Sequence, residues 1–222
     1  MSRGVWLVVA MQLLPFIFFS GGGNPGPARI VVVSLVLAAV LFLVAGVSQA
    51  FAQSGEAIDM RGAIRAARSV YGQFLWLIIK AGLLAIALVN LAMYAALTIY
   101  AMEPAAVVGQ VIGAYPLAAP VLGFAFVYWL PIVFVERNFL LFATLQAAIA
   151  TAWRRLRCSA YLAILTLTPA IGALFFSDDA PIAVMVSFNV VATLMSWIAY
   201  VYCVEWLQRA RAVATVENPS VP

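Results

Sequence analysis

Apolar residues run along this chain in long blocks, separated by short patches that carry almost all of its charge. A hydrocarbon core about 30 Å thick needs roughly 17–25 mainly apolar residues for one helical crossing. Six stretches answer to that length: 4–20, 30–53, 72–100, 105–135, 159–177 and 181–206. The pattern predicts an all-α integral membrane protein with six transmembrane helices, built as one polytopic domain over residues 1–222. The 4–20 stretch follows Arg3 and precedes GGGNPGPA, features a signal peptide would share. The expectation is a retained span; cleavage would leave the rest of the topology unchanged. The 72–100 stretch is long enough to tilt or to emerge from the bilayer. The 105–135 stretch holds Pro116, Pro120 and Pro131, each lacking a backbone donor, so a kinked or broken span is expected there.

Two connections between blocks have a helical period instead. In 59–71, Arg61, Arg65 and Arg68 form one stripe and Met60, Ile64, Ala67 and Tyr71 another, side by side at about 100° per residue. Asp59 is placed to cap this helix. In 138–157, Leu141, Leu145, Ala148, Ala152 and Leu156 mark one face, and Arg154, Arg155 and Arg157 crowd its end. Both read as amphipathic helices. Both suit the headgroup layer, with arginines reaching lipid phosphates; for 59–71 a packed position on the bundle with solvated charges fits equally. Whether 138–157 lies on the bilayer or dips into it is left open by the pattern. The two connections also resemble each other: MRGAIRAA at 60–67 aligns with LQAAIATA at 145–152, and identities continue at Leu77/Leu162, Ile79/Ile164, Ala85/Ala170 and Ile86/Ile171. This admits a tandem repeat of span, amphipathic helix and span. Its two units would be parallel, because two spans separate their starts.

Charge then orients the thread. Ten of the twelve Lys and Arg residues fall on one side of the six-span reading: Arg3, Arg61, Arg65, Arg68, Arg137, Arg154, Arg155, Arg157, Arg209 and Arg211. Arg29 stands alone opposite, and the outer loops carry Glu103, Asp178 and Asp179. All six tryptophans, Trp6, Trp76, Trp129, Trp153, Trp197 and Trp206, fall toward the basic side. The positive-inside bias and the preference of indole for headgroups both predict a multi-pass protein of a bacterial inner membrane with N- and C-termini in the cytoplasm.

Composition removes several function classes. The chain is 66% hydrophobic and 9% charged, against roughly 25% charged in a soluble domain. The net charge of +4 flanks the spans, which suits anionic lipid headgroups as partners and not nucleic acid. There is no histidine, the commonest general base and metal ligand. Cys158 and Cys203 have no paired spacing and read as small buried apolar residues. No nucleophile elbow, zinc-protease or phosphate-loop motif is present, and no catalytic, cofactor or metal residue is assigned. Asp178–Asp179 sits in a tight turn, where it reads as a cap for the last span.

The stretch LPIVFVERNFLLFATLQAAIATAWRRLRCSAYLAIL at 130–165 resembles bacterial membrane proteins of the YciC-like type, and more broadly the membrane region found in some glycerophosphodiester phosphodiesterases. The shared pattern is a span ending near a proline and an acidic residue, here Pro131 and Glu136, then a helix from Leu145 to Trp153, a basic turn and a further apolar span. This chain departs from it by carrying Ala where a Ser often sits in that helix, and by its broken fourth span. The resemblance implies a polytopic helical fold and a membrane location, and it carries over no catalytic residue.

A few polar groups fall inside or at the ends of spans. Lys80 lies four residues past Trp76, close enough to snorkel to the headgroups, or to pair with Glu136 or Glu205 at neighbouring span ends. Asn90 and Asn189 sit mid-span, where amides bond neighbouring helices. The expected function is that of a non-enzymatic accessory, assembly, scaffolding or lipid-organising protein, with room for a membrane-protein partner or a homo-oligomer. The alternative is a small permease or flippase for an apolar or amphiphilic solute, using Lys80, Asn90 and Asn189 beside a broken fourth span.

Overall fold

In a computed structural model, residues 27–54, 59–99, 123–124, 126–173 and 182–217 are described. Among them six helices follow in order: α1 Pro27–Ser54, α2 Met60–Ile99, α3 Trp129–Glu136, α4 Leu141–Arg154, α5 Leu156–Ala173 and α6 Ile182–Glu217. Three stretches, Val31–Ser54, Met60–Thr98 and Val186–Ala212, are long and apolar enough to cross a membrane. They become four if α3 and α4, bent by 120° at their junction, count as one span. The chain is therefore an all-helical membrane protein. The 4–20 stretch, most of 105–135 with Pro116 and Pro120, the Asp178–Asp179 turn and the Asn189 side chain lie outside what is described.

Small residues dictate how α1 and α2 meet. They run antiparallel, with Gly46 set against Ala63 and Ala67; a Cβ at Gly46 would come within 2.8 Å of the Ala67 Cβ. Such surfaces let two helix backbones approach closely where lipid offers no hydrophobic drive for association. Farther along, the Tyr71 hydroxyl donates to the Ala38 carbonyl at 3.1 Å. On the other side of α1, Tyr200 of α6 donates to the Ser48 carbonyl at 2.8 Å and the Gln208 amide to the Ala52 carbonyl at 2.8 Å. The short α3 is the centre of the packing, with Pro131, Ile132, Val133 and Phe134 all buried.

Burial is concentrated at one end of the bundle. On α1 it starts at Val40, on α2 it stops at Leu77, and on α6 it is seen at Ala199, Tyr200, Cys203 and Val204. Ala45, Ala52, Val70, Phe74, Phe134, Tyr200 and Val204 form one shared core there. Exposed side chains on α2 change character at the same boundary. Before Trp76 most are polar, Arg61, Arg65, Arg68, Ser69 and Gln73 among them, with Met60 the exception; beyond Ile79 the large ones are mainly apolar, Leu83, Ile86, Leu88, Val89, Leu91, Tyr94 and Leu97, with Asn90 among them. Exposed apolar surface on this scale needs lipid or protein to cover it.

Three sequence expectations change in detail. The 59–71 and 72–100 stretches are not separate elements: both belong to α2, whose 40 residues make about 60 Å of helix at 1.5 Å per residue. No proline lies between them, and the single Gly72 is tolerated, so the helix propagates through. The inner face of its first third is Ala63, Ala66, Ala67 and Val70, while Met60 is exposed. The small alanines win that face because α1 approaches too closely for larger side chains. In 138–157, the helix breaks at Arg155, which takes Leu156 off the expected face and leaves it exposed. Thr144 takes its place beside Leu141, Ala148 and Ala152 on the buried side.

Candidate functional site

The arginines assemble at the packed end. Arg61, Arg65 and Arg68 are exposed on α2. Arg211 of α6 pairs with Glu136 at 3.6 Å and also donates to the Val135 carbonyl at 3.0 Å, tying the end of α6 to the end of α3. Arg209 pairs with Glu205 one turn earlier, at 3.1 Å. Both pairs are solvent-facing and each contributes at most about 1 kcal/mol. Helix α3 stops at Arg137, which adopts a left-handed conformation (φ 51°, ψ 31°), and the Asn138 N–H returns to the Val133 carbonyl. Glycine or asparagine is the usual occupant of that position. Asn138 then accepts from the Leu140 N–H at 3.0 Å and leads the chain into α4.

Arg155 has a different setting. It sits at the break between α4 and α5, with its guanidinium carbon 4.2 Å from the centroid of the Trp206 ring. Among the described residues its Nη1 is buried without a hydrogen-bond partner, and so is the hydroxyl of the fully buried Tyr128. Ser159 closes the break, donating to the carbonyls of Ala152 at 3.0 Å and Arg155 at 2.9 Å. Burial works against the Arg155 charge, but the Tyr202 hydroxyl, Tyr128 and Cys158 more than offset it, and the pKa is raised. Arg154 and Arg157 flank this residue and are exposed.

Among the described residues, Lys80 and Asn90 each interact within α2. Lys80 Nζ lies 5.2 Å from the centroid of Trp76 on its own helix. Glu136 and Glu205, its two expected partners, are taken by arginines of α6. Asn90 is exposed and donates to the Ile86 carbonyl one turn back, at 2.8 Å. Cavities open elsewhere among the described residues. One, of about 540 Å³, lies between α1, α2 and Arg137. Another, of about 230 Å³, is mainly apolar and lies beside Pro131, Thr166, Ser196 and Tyr200. Neither includes Lys80 or Asn90 in its wall.

Some residues of interest escaped the sequence. Gln49 is fully buried, and neither amide atom has a hydrogen-bond partner among the described residues; its only signal was a Ser–Gln pair interrupting an apolar block. The backbone of Arg137 and the stacking of Arg155 on Trp206 depend on helix ends meeting in space, and no local pattern encodes them. Comparison of the chain with known protein families, curated proteins and solved structures finds no match.

Proposed function

We propose that this chain is a non-enzymatic, multi-pass protein of a bacterial inner membrane, with both termini cytoplasmic. Its role is accessory: it assembles, stabilises or scaffolds a membrane complex, or organises lipid around one. The observation that carries this reading is the gathering of Arg65, Arg137, Arg155, Arg209 and Arg211 at one packed end of a bundle whose outer surface turns apolar beyond Trp76 and Lys80. A basic rim meeting an apolar surface is what an anionic headgroup layer complements. Helix α4 supports the same picture. Phe142, Ile149 and Trp153 are exposed on its outer face, with Arg154 and Arg157 at its end, as in a helix lying in the membrane interface.

The six-span thread and the tandem parallel repeat belong to this proposal. Burial of both partners at three matched positions supports the repeat: Ala63 with Ala148, Ala67 with Ala152, and Leu77 with Leu162. Kinship with YciC-like membrane proteins is proposed on the same footing. Affinity purification of the full chain in mild detergent tests the function. Co-purification of a defined protein partner, or enrichment of anionic lipid, is expected. The apolar 230 Å³ cavity favours the second reading, a permease or flippase for an apolar solute, and a retained small molecule would select it.

A further inference from the structure

The larger cavity has an unusual wall. Its polar lining is Gln53, Ser54, Asp59, Arg65, Ser69 and Arg137, over a floor of small residues, and it is an open cleft of about 540 Å³. That is ample for a small headgroup. The hydroxyl protons of Ser54 and Ser69 are already donated to the Ala50 and Ala66 carbonyls, so the arginines and the Gln53 amide are the donors facing the space. Among the described residues Arg65 and Arg137 enter no ion pair. The Asp59 carbonyl accepts from the Ala63 N–H at 2.9 Å, while its carboxylate has no hydrogen bond within the described structure.

Backbone geometry adds to this. Arg137 holds φ 51°, a region that costs a non-glycine residue about 1 kcal/mol or more. A glycine there would relax the turn but would remove a guanidinium from the cavity. Among the described lining residues, two cations against one carboxylate leave a single positive charge. A phosphodiester, with its single negative charge, neutralises it. A phosphate monoester would overfill it.

We propose that this cavity binds a phosphodiester headgroup, with Arg65 and Arg137 on the phosphate oxygens and Asp59 accepting from a hydroxyl on the substituent. The inference rests on the headgroup-facing reading above and gives it a defined site and ligand class. Guanidinium groups donate two parallel bonds to phosphate oxygens, which makes them the strong partners here.

The test uses the full chain in phosphatidylcholine nanodiscs doped with phosphatidylglycerol, with bound lipid read by native mass spectrometry. Calorimetry with soluble glycerophosphoglycerol is run in parallel on undoped discs. Retention of phosphatidylglycerol over phosphatidylcholine is expected, weakened roughly tenfold by Arg65→Gln, the loss of one charge-assisted contact. Arg137→Gly should weaken it similarly while melting at the same temperature or higher, which separates a lost ligand from a lost fold. Binding of the lipid alone assigns a membrane source, and equal binding of the soluble headgroup assigns a free one. Absence of both, or wild-type retention by the two variants, overturns the site. In that case an intact partner complex would leave the accessory reading standing, whereas failure of the wild-type chain to insert would strike that reading itself.

Discussion

The Trp129 indole N–H donates to the Thr144 hydroxyl at 2.9 Å, across the 120° bend between α3 and α4. Thr144 passes its own proton to the Leu140 carbonyl at 2.9 Å, so the bond pins the second turn of α4 to the start of α3. Thr144→Val keeps the side-chain volume and removes the acceptor. We expect a loss of about 1 kcal/mol, seen as lower thermal stability in detergent. Thr144→Ser should restore most of it. A double-mutant cycle with Trp129→Phe checks the pairing, and additive losses would show that the two residues do not act through each other.

Gly46 and Gly72 should behave in opposite ways. A Cβ at Gly46 would run into the backbone of Ala63 and into Ala67, while one at Gly72 meets nothing within 4 Å. Gly46→Val therefore must push α1 off α2 and should lower the yield of folded protein sharply, since forced overpacking costs about 1–3 kcal/mol. Gly72→Ala should stabilise by roughly 0.5–1 kcal/mol through helix propensity. Melting curves of the two variants, purified side by side, decide the matter.

The helical blocks were legible because bilayer thickness imposes a length on apolar runs, and α1, α2 and α6 each contain one. Helix phase was less legible. On α2 the expected apolar stripe was Met60, Ile64, Ala67 and Tyr71; Ala67 is buried as expected, Met60 is exposed, and the interface with α1 adds Ala63 by size. Interaction between helix ends was not legible at all. That Arg211 would take Glu136 depends on α6 returning beside α3, and that Arg65 would share a cavity with Arg137 depends on a turn in an uncommon conformation. Each is a relationship between residues more than seventy positions apart, and no spacing rule reaches that far.

Lys80 offers a simple separation of two roles. Its ammonium lies 5.2 Å from the Trp76 ring centroid, at the level where the exposed face of α2 turns from polar to apolar. A snorkelling lysine stacked on an interfacial indole contributes about 0.5–1 kcal/mol at an exposed site. Lys80→Leu should insert normally and melt within that margin of the wild type. Lys80→Leu in a Trp76→Leu background should add nothing further. A loss of several kcal/mol in the single variant would instead mark a buried ionic partner on a neighbouring helix.

Arg155 is the residue whose replacement should loosen the junction of α4 and α5. Its guanidinium faces Trp206 at 4.2 Å, and the flat group, more than its charge alone, makes that stack. Arg155→Lys keeps the charge but loses the plane, and we expect about 1 kcal/mol of destabilisation. The effect should be local. Exposed Arg154 and Arg157 flank the junction, so limited trypsin digestion should cut after them faster in the variant than in the wild type. Measured relative to a short unstructured arginine peptide, the wild-type rate should not vary across the neutral pH range. A raised arginine pKa keeps the proton on in both folded and unfolded chains there, and the stability it supplies would fade only as pH rose through the folded value. Equal cleavage rates in the two proteins would mean that the stack on Trp206 does not hold the junction closed.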